Sequence, residues 1–410
     1  MFHMAKKQSP IALNMKVGAD CTASDLSALA RAVDEGWLKP GGLASDPAAI
    51  NELRRRAFDL IAAIVPSRST NDQRQSACFV INTLASSGCL LRPIDDGVVA
   101  QAIEVSKKGW PGLLAALAVV PAWYLPVLPT IDELPHELWP TYIRCRLLLP
   151  SSFVRVGEAD ACFSGYLSCI RELVKLAEIN RGAAAVRAAL AEYSRAPSCT
   201  LFIHTVASLG ELAALRGRLM NLTCAQGGGE ETLLLPRDGR RLRIGFIFPS
   251  CELTKHSRLA RVLARGLDDT RFEVIFYALS SVDSTTTLDF QNDGIALQGI
   301  ETDLSDALAQ MRGGMLDVAV LMTNVMNQAD KIAQLVLLQV APLQVILDAT
   351  CCSPDLSGAD LAVEAVETVP SKEKVRRVCM PYWGSCPVVA SFEPEGTHEW
   401  TRESLGLPEK

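Results

Sequence analysis

One stretch constrains the fold more than any other: Arg241 to Leu279, RLRIGFIFPSCELTKHSRLARVLARGLDDTRFEVIFYAL. An apolar run from Leu242 to Phe248 stops at Pro249 and Ser250, and a polar turn follows through Lys255, His256 and Ser257. Leu259, Val262, Leu263 and Leu267 then recur at helical spacing, and a second apolar run, Phe272 to Leu279, closes the unit. Strand, turn, helix, strand is the grammar of a parallel sheet. Ligands of such sheets sit at the carboxyl ends of strands, where the turn from Pro249 to Ser257 falls.

Upstream, Ala23 to about Cys224 reads as helical. Pro47 opens a long amphipathic run. Trp110 and Pro111 start a helix through Leu113 to Val120, and Pro121 to Pro135 is a proline-rich loop with short turns. Further helices are expected over Thr141 to Leu149, Glu158 to Ile179, Ala183 to Tyr193 and Val206 to Leu219. No fixed-period repeat is visible, so a regular solenoid is not expected. Three consecutive glycines mark Ala225 to Arg240 as the boundary, either as a linker or as a short hairpin leading into the Arg241 strand.

Downstream, αβ alternation continues. Strands are expected at Ala296 to Ile300, Leu316 to Met322, Pro342 to Leu347, Leu361 to Glu364 and Val375 to Met380, with helices at Leu304 to Met311 and Ala329 to Leu338. Near-continuous apolar strands imply a parallel sheet covered on both faces. Ile244, Val274 and Val345 should lie on parallel strands of one sheet. The division is an all-α domain over 1–224, a linker over 225–240, an α/β Rossmann-like domain over 241–392, and a tail over 393–410.

The chain of 410 residues carries a formal net charge of −6, which argues against a broad electrostatic grip on nucleic acid or anionic membrane. The N-terminus has no apolar core for a secretory signal, and the most apolar window, Leu113 to Leu128, contains two prolines and falls short of a membrane span. Thirteen cysteines with no CxxC and no signal peptide read as reduced, buried thiols in a cytoplasmic protein.

His256 stands beside Lys255 and Ser257 and ahead of Arg258 and Arg261, a set suited to anion recognition or proton transfer at a helix start. The same residues also suit a solvated turn with its cations on the outer helix face, the more ordinary reading of such a set. The turn has no glycine, so it is neither a dinucleotide fingerprint nor a P-loop, and no G-x-S-x-G elbow accompanies a triad. Thr323 and Asn324 after one strand, and Asp348 to Gly358 (including Ser353) after another, fall at the same sheet edge. The adjacent Cys351 and Cys352 do not complete a tetrahedral metal site, so no metal is expected.

RLRIGFIFPS and DDTRFEVIFYAL resemble the first βαβ unit in the catalytic region of glycosyltransferase family 41. This family includes the O-linked N-acetylglucosamine transferases and the bacterial cytoplasmic N-glycosyltransferases that modify adhesins. LDVAVLMTNVMNQADKIAQLVLLQVAPLQVILD is similar to the family's strand, helix and "APIQ" strand, here Ala341-Pro342-Leu343-Gln344. The helical half, including SSFVRVGEADA, looks more like the adhesin-type branch than like tetratricopeptide repeats.

The resemblance implies a GT-B fold, two Rossmann-like domains facing across a cleft, of which this chain holds the first. It implies transfer of a hexose or N-acetylhexosamine from a UDP-sugar to Asn or Ser/Thr of an acceptor polypeptide, without a metal or other cofactor; no D-x-D motif is present. His256 falls in the turn where the family carries a functional histidine, with Arg261 near a family arginine. The family's glycine- and histidine-bearing loop is replaced by Asp348 to Gly358. The donor-binding half is expected to lie outside these residues, leaving the chain inactive alone, with UDP-sugar a partner only when a second domain is supplied. The alternatives are a non-catalytic peptide-binding module and a truncated inactive product.

Overall fold

The computed structural model describes residues 23–37, 47–86, 88–91, 96–196, 199, 201–202, 205, 209–224, 239–249, 255–292, 294–300, 303–322, 331–347, 360–364 and 376–379. They fall into two compact units, one running to Thr223 and one starting at Cys224. Among the described residues no helix is long and apolar enough to cross a membrane.

The first unit is helical: α1 (Ala23–Trp37), α2 (Pro47–Ala62), α3 (Asn71–Ser86), α4 (Asp96–Ser106), α5 (Gly109–Val119), α6 (Trp139–Leu147), α7 (Glu158–Asn180), α8 (Ala184–Ser194) and α9 (Gly210–Cys224). Helix α5 is its centre. Every residue from Trp110 to Val119 is buried, so the helix shows no polar stripe. Its start presses on α4 so closely that a Cβ on Gly112 would stand 2.1 Å from the Val105 carbonyl oxygen. Its end is capped by the buried Arg54 of α2, whose Nε donates to Ala118 O at 3.1 Å and Nη2 to Val119 O at 2.6 Å. The proline-rich segment after α5 forms short 3-10 turns at Ala122–Tyr124, Ile131–Glu133 and His136–Leu138. The bidentate Arg146–Glu172 pair, at 2.7 and 2.9 Å, ties α6 to α7, and Glu172 also accepts from the Ile131 N–H.

The loop before α7 folds around one carboxylate. Glu158 accepts from the backbone N–H groups of Val154 (2.8 Å) and Arg155 (3.2 Å), from Trp123 Nε1 and from the Tyr124 hydroxyl. Gly157 takes a left-handed φ of 80° at the head of α7, which permits the tight reversal. Cys78, Cys145, Cys162, Cys169 and Cys199 are free and buried, and burial pushes the Cys145 and Cys169 thiols up to about 12.

The second unit alternates: β1 (Leu242–Phe248), α10 (Lys255–Arg265), β2 (Phe272–Ala278), α11 (Ser284–Asn292), β3 (Ala296–Gly299), α12 (Leu304–Gly313), β4 (Val318–Met322), α13 (Lys331–Leu338), β5 (Leu343–Leu347), β6 (Leu361–Glu364) and β7 (Arg376–Cys379). The strands form one parallel sheet in the order β3-β2-β1-β4-β5-β6-β7. Ile244 stands opposite Val274 and Val318, and Val345 opposite Val320 and Leu361, so the three marker residues share the sheet as expected.

On one face Phe246, Phe248, Phe276 and Phe290 form an aromatic cluster with ring centroids 5.1 to 5.6 Å apart, packed with Ala260 and Ala264 of α10. Residues of opposite parity, Ile247, Ala319, Leu321 and Ile346, are also buried, so both faces are covered. Gly245 lets Leu316 pack onto β1, since a Cβ there would stand 2.5 Å from the end of the Leu316 side chain, which would have to shift. Helix α11 is absent from the sequence expectation. Its run of threonines carries little helix propensity, but Asp283 accepts from the Thr286 N–H at 2.8 Å and Phe290 anchors it in the core.

Candidate functional site

The strand order reverses between β1 and β4: β2 and β3 lie on one side of β1, β4 and β5 on the other. Reversals of this kind leave a crevice at the carboxyl ends of the two central strands. The registers Ile247 to Leu321 and Met322 to Leu347 bring the ends of β1, β4 and β5 level with one another. The candidate residues follow these three ends in the chain. Lys255, His256, Ser257, Arg258 and Arg261 come after β1, Thr323 and Asn324 after β4, and Asp348 and Ser353 after β5.

The first group needs a correction. Lys255, His256 and Ser257 were expected in a turn, yet α10 begins at Lys255, so all three are helical. From Lys255 to Arg265 no glycine or proline interrupts the helix. Lys255, His256 and Arg258 therefore belong to the first turn of α10, where backbone N–H groups lack intrahelical partners and the dipole favours an anion.

Ser257 and Arg261 are placed differently from a ligand-contact expectation. Ser257 is fully buried, three residues before Ala260 and seven before Ala264, on the face that packs against the sheet. Arg261 holds its guanidinium carbon 4.9 Å from the Phe290 ring centroid, a cation–π contact that joins α10 to α11. Thr323, Asn324, Asp348 and Ser353 lie outside the described residues, as do Cys351 and Cys352. Among the described residues, no three His, Cys, Asp or Glu side chains gather as a metal site would require.

A set of buried polar interactions sits at the opposite, amino-terminal edge of the sheet. Asp317, 1% exposed, accepts two hydrogen bonds from Arg240 (2.8 and 2.9 Å) and one from the Arg243 N–H (2.7 Å). Gln344 is buried beside it in the strand order. Its Oε1 accepts from the Val340 N–H at 2.9 Å and its Nε2 donates to Val336 O at 2.7 Å, which closes the turn between α13 and β5. The Gln344 N–H in turn donates to Asp360 at 2.8 Å. The glutamine of the APLQ motif is thus a joint of the fold, remote from the carboxyl ends where a ligand would sit.

No protein-family model matches the chain, and no curated protein matches it either. Among solved structures, a mutant O-GlcNAc transferase from Thermobaculum terrenum is similar at 13% identity with a TM-score of 0.36, over 87% of this chain and 57% of that one. The chain spans a little over half the length of that protein.

Proposed function

We propose that this chain comprises the helical domain (1–224), a linker (225–240), the first Rossmann-like domain (241–392) and the approach to a second domain (393–410) of a GT-B protein glycosyltransferase of family 41 type. One observation carries the reading. The sequence blocks that resemble the family form the adjacent parallel strands β2, β1, β4 and β5, and the candidate residues follow the carboxyl ends on either side of the order reversal.

In this proposal a nucleophile on a cytoplasmic acceptor polypeptide, an Asn amide or a Ser/Thr hydroxyl, attacks the anomeric carbon of a UDP-sugar and UDP leaves. Fixed donors in the cleft stabilise the charge on the leaving group. His256 orients the acceptor or a phosphate. Lys255, Arg258 and the N–H groups of the first α10 turn supply positive potential. Thr323, Asn324, Asp348 and Ser353, which follow β4 and β5 in the chain, would add acceptor or phosphate contacts. A second domain binds most of the donor, so these residues alone turn over little or no UDP-sugar.

The test is transfer from UDP-glucose and UDP-N-acetylglucosamine to Asn- and Ser/Thr-containing peptides, by this chain and by the chain extended with the coding sequence past Lys410. Transfer only by the extended protein, reduced about a hundredfold or more by H256A, is the expected result. Robust turnover by the 410 residues alone would refute the half-enzyme reading. An extension that encodes a second αβ domain yet transfers neither sugar overturns the enzyme assignment.

A further inference from the structure

We draw no further inference here: the strongest candidate, the groove of about 260 Å³ at the carboxyl ends of α3, α6 and α8, carries nothing, because the Arg144 and Arg195 side chains that line it already share the buried Glu192 carboxylate at 2.8 and 2.7 Å, and no described residue of its lining holds a buried polar atom without a partner.

Discussion

Gln344 illustrates how one side chain can hold a crossover together. Removing it in Q344A strands the buried Val340 N–H, which then bears its desolvation cost, and leaves the Val336 carbonyl with only the longer bond from the Gln339 N–H at 3.4 Å. A loss of about 2 to 4 kcal/mol in urea unfolding of the α/β unit is expected, and a change below about 0.5 kcal/mol would show that the two bonds are dispensable. Glu158 gives a pH signature. Burial alone would raise its pKa, but the hydrogen bonds from Val154, Arg155, Trp123 and Tyr124 outweigh it and hold the carboxyl below the ordinary 4.5. A depressed carboxylate stabilises the fold above its unfolded pKa, and that contribution disappears as pH falls through the lower folded value. The stability gap between wild type and E158Q should therefore be widest at neutral pH and shrink as pH drops below 4.5, read from urea midpoints across that range. A gap that stays constant with pH would place the role of Glu158 in packing alone.

Among the elements, α5 has the least freedom. Gly112 allows its backbone to touch α4, and a methyl group at that position collides with a carbonyl oxygen rather than with a flexible side chain. G112A should cost about 1 to 3 kcal/mol or more through overpacking, seen as a lowered thermal midpoint with residual helix content unchanged above it. Neutral behaviour would mean that α4 and α5 separate easily. The elements also show where sequence pattern suffices. The apolar runs of β1, β2, β4 and β5 are legible because a strand buried on both faces leaves little place for a polar residue beyond its first residues, where Arg243, Glu273 and Gln344 stand. Helix α11 was not legible, since its stability comes from an exposed Asp283 cap and one core residue, Phe290, instead of a periodic apolar face.

For the whole molecule, the two units have separate cores, a helical one around α5 and an aromatic one against β1 and β2. Thermal unfolding should accordingly depart from a single two-state transition, with G112A lowering one component and Q344A the other. If both variants moved one shared transition, the units would be thermodynamically a single body. The candidate site was only partly readable at this scale. That the carboxyl ends of three strands share one edge, with candidate residues next in the chain, follows from alternation and chain order. Which of them point outward does not: Ser257 and Arg261 look alike in sequence to ligand contacts, but one is on the buried face of α10 and the other stacks on Phe290.

By itself the sequence determined the class of each half, because burial demands apolar periodicity and the chain displays it openly: helical before the triple glycine, αβ after it. Only the tertiary structure decided what the polar residues do. Gln344, Asp317 and Glu158 carry ordinary side chains whose roles depend on which donors and acceptors the fold brings within about 3 Å, and that distance is set by how the fold packs around them.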